Sequence, residues 1–240
     1  MAELQPMSPN DCLFVAGDVG ELTSDIQRTL ALLRECFARV IWMSANHELW
    51  TIEQESISLR AVWGYEALVE MCRRLDMLTP EDPYPGWTGA GGPVRITQLF
   101  LLYAYTFLAP GTTTRAESLE KVHEAGIVCM DEFFLHPDPY PTWQDWCAAR
   151  IEATERRLSQ VTGPGEVMTH QDFVQWCGTV RTTDWHTRFD VRASVYGHLH
   201  IPRSTVYDGV PFGYAREWRH FGLRSNLARQ ILARYGERAA

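Results

Sequence analysis

Four apolar runs in this chain each end in side chains able to hold or move charge. "LFVAGD" ends at Asp18, "VIWMSANHE" at Asn46, His47 and Glu48, "EVMTH" at His170, and "SVYGHLH" at His198 and His200. In the last run one residue separates the two histidines, and alternate side chains of an extended segment share a face. His198 and His200 are therefore placed to enter one site, and two neutral imidazoles on one face begin a metal centre. Gly197 permits the sharp turn that ends the run. Singly, each group has a plain structural role: Gly-Asp suits a turn, an asparagine caps a helix start, and a half-buried histidine bonds to backbone. Together they repeat one arrangement, a ligand type at the carboxyl end of a strand, which is where open α/β sheets bind their ligands.

Helices must separate those strands. Leu22, Ile26, Leu30, Leu33 and Phe37 recur at helical spacing, which predicts an amphipathic helix over 22–38. A second helix is predicted over 57–78, with Leu68, Met71, Cys72 and Leu75 on one side, and others over 114–125, 143–160 and 223–235. "VRITQLFLLYAYTF" supplies one or two further strands. The Pro- and Gly-rich stretches 79–93 and 134–143 read as loops, and Asp208-Gly209 as the tip of a hairpin. Strand-loop-helix alternation defines layered α/β architecture. With 240 residues and no internal repeat or low-complexity linker, one domain over 1–240 is expected.

Composition narrows the function classes. The net charge of -8 argues against general binding to nucleic-acid backbones or anionic membranes. It leaves room for a small phosphorylated substrate, because a bound cation supplies local positive charge. Six scattered cysteines, with no C-x-x-C, indicate neither a zinc ribbon nor a redox pair, and fit free thiols in a reducing cytoplasm. No apolar run reaches the length of a membrane span. Tyr84, Trp87, Tyr140 and Trp143 flank the Pro-rich loops and are expected to pack at the edge of the core. His123 reads as a helix-surface residue and His136 as part of a loop.

The ordered set "GD" at 17–18, "ANHE" at 45–48, "TH" at 169–170 and "GHLH" at 197–200 resembles the calcineurin-like metallophosphoesterase superfamily, from about Leu13 to about Tyr207. The resemblance implies an α/β fold, a two-sheet sandwich flanked by helices, and hydrolysis of a phosphomonoester or phosphodiester by a metal-bound hydroxide. It implies that Asp18 bridges two divalent metals, that Asn46, His170 and His198 complete the second, and that His200 reaches the first. His47 then stands beside the leaving group as general acid, and Glu21 orients it. A carboxylate shares its oxygens readily between cations about 3.5–4 Å apart. A mixed nitrogen and oxygen set accepts Mn, Fe, Co, Ni or Zn. His186, Arg188 and Arg203 are the candidates to contact a phosphate or leaving group.

The superfamily pattern opens with Asp-x-His after an earlier strand, and "MAELQPMSPND" contains no such pair. The expectation is therefore a fold lacking the first β-α unit, through a genuine truncation or a start placed too far downstream. One metal site would be well formed, and a second held only by Asp18 and His200 would be weak. The strand from Cys12 would expose an edge that favours pairing between chains. Ala45 stands where the pattern carries glycine, and alanine is strained there if the backbone needs positive φ. Two other readings stay open at this level: a degenerate member serving as a binding or regulatory module, and a mononuclear metal hydrolase or lyase of different chemistry. The ligand assignment makes a first prediction: metal analysis by mass spectrometry should find His198→Ala more depleted than His200→Ala, and equal depletion would contradict one sound site beside a weak one.

Overall fold

The computed structural model describes residues 4–52, 59–89, 93–106, 108–126, 128–161, 166–171, 180–182, 184–189 and 191–197, with 166–171, 180, 186, 187 and 192–197 given by their backbone. Strand β1 (Cys12–Val15) leads through helix α1 (Thr23–Cys36) to β2 (Arg39–Trp42), and the two strands pair in parallel. Their register sets Cys12 opposite Arg39 and Val15 opposite Trp42, so both strands end at one level. The Met43 N–H extends the ladder to the Val15 carbonyl at 2.9 Å. The segments carrying Asp18 and Asn46 thus leave the sheet side by side.

Helix α1 forms where the apolar spacing predicts it. Ile26, Leu30, Leu33 and Phe37 are buried, and they pack into one core with Val40 and Trp42 of β2 and Tyr65, Leu68 and Cys72 of helix α2 (Ala61–Arg74). Full burial of one such aliphatic side chain stabilises the fold by about 1.5–3 kcal/mol. The second helix is shorter than its sequence pattern. It stops at Arg74 because the chain turns left-handed at Asp76 (φ 56). Leu78 then runs beside Ile41 in a parallel bridge, with its N–H on the Val40 carbonyl and its carbonyl accepting from the Trp42 N–H.

The second sheet is mixed, in the order β3-β4-β5-β6. Its strands are β3 (Gly86–Trp87), β4 (Val94–Gln98), β5 (Glu166–Gln171) and β6 (Val191–Gly197), with β3 antiparallel and the others parallel. Ile41 and Met43 of the first sheet pack on Ile96 of β4, which joins the sheets face to face. Between β4 and β5 come helices α3 (Arg115–Glu124), α4 (Asp131–Phe134) and α5 (Trp143–Leu158). Thr114 and Glu117 form a reciprocal capping box at the start of α3, and the Thr142 hydroxyl caps α5 by accepting from the Asp145 N–H. Helix α6 (Trp185–Arg188) precedes β6. The short helices α4 and α6 have too few turns to leave a periodic signal in the sequence.

Of the one or two strands expected in "VRITQLFLLYAYTF", β4 is the one that forms. Residues 99–106 do not continue β4, although Leu99 to Tyr103 and Tyr105 are all buried. Their carbonyls find partners on α5: the Arg150 guanidinium donates to the Phe100 carbonyl at 3.3 Å, and the Cys147 thiol to that of Tyr103 at 3.1 Å. A buried apolar run needs its backbone satisfied, and here side chains rather than a neighbouring strand do it. Tyr140 and Trp143 stack on Trp146, and Tyr84 lies under the Arg157 guanidinium, so these aromatics pack at the core edge as expected. His123 is exposed on α3. The hairpin at 208–209 and the helix over 223–235 lie outside the described residues. Among the described residues no helix is long and apolar enough to cross a membrane. Leu30 is fully buried where α1 meets both neighbours. Chemical denaturation of Leu30→Ala should therefore show a loss of about 2–5 kcal/mol.

Candidate metal centre

The site grows from the ends of β1 and β2. After β1 the backbone turns left-handed at two successive residues, Gly17 (φ 76) and Asp18 (φ 55). Glycine is required at the first of these, since a Cβ there would stand 2.2 Å from the Ala45 Cβ. Ala45 itself is fully buried and is absent from the positive-φ residues, so it carries no strain of that kind. Its methyl fills the space that Gly17 leaves. The turn carries Asp18 to a position where both carboxylate oxygens are shielded from solvent.

Glu48 fastens this turn to the next loop. It lies in a single 3₁₀ turn, His47–Leu49, and is 6% exposed. The Val19 N–H donates to Glu48 Oε1 at 3.1 Å, and the Ala45 N–H donates to Oε2 at 2.9 Å. One carboxylate thus ties the segment after β1 to the segment after β2. Burial, and then the negative charge of nearby Asp18, push the Glu48 carboxyl up to about 7, against the lowering effect of those N–H groups.

Asn46 is 3% exposed, and its Nδ2 donates to Asp131 Oδ1 at 2.9 Å. A carboxylate only accepts, so this contact fixes which end of the amide is which. Next to it, His47 Nδ1 lies 3.2 Å from Glu21 Oε1. The carboxylate therefore holds the proton on Nδ1 and turns Nε2 to the opposite edge of the ring. His47 also packs against Trp50, ring centroids 3.9 Å apart and planes tilted by 32°, and Trp50 against Phe134 at 5.3 Å. The expected pairing of Glu21 with His47 is thus present as a direct contact.

The other predicted residues divide by their position. His170 lies near the end of β5, opposite Tyr196 of β6, and Gln171 lies opposite Gly197, immediately before His198. The parallel register brings these two strand ends to one level. His198, His200 and Arg203 lie outside the described residues, as do the side chains of His170 and His186. The Arg188 guanidinium donates to Glu155 Oε1 at 2.8 Å, so α5 engages it. Among the described residues, no group of three or more His, Cys, Asp or Glu side chains could hold a metal ion by itself. The donors that are described fit a hard or borderline cation: a shielded carboxylate beside an oriented amide, with a second buried carboxyl close by. Burial pushes the thiols of Cys12 and Cys147 up to about 12, so neither is a ready thiolate ligand.

Glu48 and Asp131 were not assigned a role from sequence. Glu48 stands inside the "ANHE" motif, but its partners are backbone N–H groups, which no residue type announces. Asp131 lies 85 residues from Asn46, outside every motif.

The chain belongs to the calcineurin-like phosphoesterase family, whose model matches residues 1–202. The chain is accordingly a metal-dependent phosphoric ester hydrolase with an α/β metallophosphoesterase fold. It is 46% identical over 249 residues to the [acyl-carrier-protein] phosphodiesterase PptH of Mycobacterium tuberculosis (strain ATCC 25618 / H37Rv), covering 95% of this chain and 76% of that protein. The crystal structure of the phosphopantetheinyl hydrolase PptH from Mycobacterium tuberculosis superposes with a TM-score of 0.86 at 45% identity, over 92% of this chain and 86% of that one.

The Glu48 clamp is open to test. Glu48→Gln replaces one acceptor oxygen with an amide donor that faces a backbone N–H. Urea denaturation should show a loss of about 1–3 kcal/mol. A change below about 0.5 kcal/mol would mean the two loops hold together without it.

Proposed function

We propose that this chain hydrolyses the phosphodiester joining phosphopantetheine to an acyl carrier protein. Two things support the reading: the PptH likeness over nearly the whole chain, and the placement of His47, with Nδ1 held by Glu21 and its ring packed against Trp50 beside Asn46. The second is the observation that carries the chemistry.

In this reading Asp18, Asn46, His170 and His198 would hold a divalent cation, and His200 would help to hold a second. When bound, such cations polarise phosphoryl oxygens and activate water. The chain's own groups do the rest. With Nδ1 engaged by Glu21, His47 presents Nε2 toward the departing oxygen and gives it a proton as the phosphorus–oxygen bond breaks. Trp50 limits rotation of the ring and shields one face from water. His186, Arg188 and Arg203 are proposed as substrate contacts, with Arg188 first released from Glu155.

The test is direct. Incubated with Mn²⁺ and a phosphopantetheinylated acyl carrier protein, the chain should release phosphopantetheine, seen as the mass lost from the carrier. His47→Asn should lower kcat about 10²–10⁴-fold while retaining its bound metal. An enzyme that cleaves an aryl phosphate ester but leaves the carrier intact would overturn the substrate. Undiminished turnover by the His47 variant would overturn the acid.

A further inference from the structure

We propose that Asp131 is a positioning residue that sets the metal affinity of the centre by fixing the Asn46 side-chain amide. The inference rests on the reading of Asn46 as a metal ligand. Asp131 is 7% exposed and sits at the start of α4, in the stretch between β4 and β5 and outside every strand-end motif. Its Oδ1 accepts from Asn46 Nδ2 at 2.9 Å and from the Trp50 indole N–H at 2.6 Å. Its Oδ2 accepts from the Tyr103 hydroxyl. All three contacts are donations to Asp131, the pattern that an acceptor-only group demands.

The consequence for Asn46 follows from covalent geometry. An amide carries its oxygen and nitrogen on opposite sides of one carbon. Anchoring Nδ2 on a buried carboxylate turns Oδ1 away from Asp131, and Oδ1 is the only atom of this side chain that binds a hard cation well. A flip of the amide would set Oδ1 against the carboxylate oxygen, two acceptors in contact in a low-dielectric setting, and would direct N–H groups toward the cation. Asp131 therefore excludes the unproductive rotamer before metal arrives. Outer groups that orient a ligand in this way typically carry about 10–100-fold in metal affinity.

The surroundings hold Asp131 still. The Thr51 N–H donates to the Phe134 carbonyl at 2.9 Å, which ties the end of α4 to the chain just past Trp50. Trp50 lies against Phe134 as well. Helix α4 is thereby fastened to the loop that carries Asn46 and His47 at both its ends. Tyr103, from the buried irregular stretch after β4, closes the far side.

The experiment measures binding of Mn²⁺ alone to the full chain, by titration calorimetry or by the electron-spin signal of free Mn²⁺, so that no substrate or turnover enters. Four proteins form a cycle: wild type, Asn46→Ala, Asp131→Ala and the double variant. Asp131→Ala should weaken Mn²⁺ binding about 10–100-fold. It should add little in the Asn46→Ala background, since it acts through that side chain. Asp131→Asn keeps an Oδ1 for Asn46 and Trp50, while its Nδ2 donates to Tyr103. It should bind Mn²⁺ within about threefold of wild type. If Asp131→Ala fails to melt cooperatively, Asp131→Leu carries the same cycle. Losses that simply add in the double variant, or an Asp131→Ala protein with unchanged Mn²⁺ affinity, would overturn the role of Asp131 and leave Asn46 a ligand. Unchanged affinity in Asn46→Ala would overturn the ligand reading itself.

Discussion

Two loops that leave adjacent parallel strands must be held at one distance, and a single buried carboxylate does it. Glu48 accepts N–H groups from both Val19 and Ala45, one on each loop. The left-handed turn at Gly17-Asp18 fits only because Gly17 carries no Cβ to meet Ala45. Any change that separates the loops moves Asp18 and Asn46 apart, and with them whatever cation they share. The core formed by α1, α2 and β2 can be read as the support for this clamp, since it fixes the strands from which the loops spring.

The charges at the ends of β1 and β2 suit the proposed cation. Asp18 and Glu48 are both shielded from water, and the charge of Asp18 disfavours that of Glu48. Burial, and then the charge of Asp18, push the Glu48 carboxyl up to about 7. A divalent ion at Asp18 would reverse the balance and favour both anionic forms. Around this pair the polar contacts are graded by distance from the chemistry. Glu21 acts on the ring of His47, Asp131 acts on the amide of Asn46, and Trp50 touches both, with its face on His47 and its N–H on Asp131. His47 and, through Asp131, Asn46 are thus positioned by a common indole.

Much of this was legible in the sequence because strand-end chemistry is repeated. Asp18, Asn46, His47 and His170 each follow an apolar run, and the register of β5 and β6 sets His170 opposite Tyr196, two residues before His198. Glu21 was legible as a partner for His47 through the family resemblance, which carries an acid three residues past the Asp18 position. The remainder was hidden for identifiable reasons. Asp131 occupies a four-residue helix, too short for any periodicity, and its partners are distant in the chain. Leu99 to Tyr105 resembles a strand in composition, yet α5 side chains rather than a strand take its carbonyls. The helix ending at Arg74 looked longer because Leu75, Met77 and Leu78 are apolar, while a left-handed Asp76 redirects them to β2.

The account stands on Asp18 and Asn46 gripping one cation. Anomalous diffraction from crystals of the Mn²⁺-loaded protein would examine this without reference to catalysis. The account predicts a manganese peak with a carboxylate oxygen of Asp18 and Oδ1 of Asn46 each at about 2.2 Å. A fully occupied peak that excludes either side chain from its coordination sphere would contradict it.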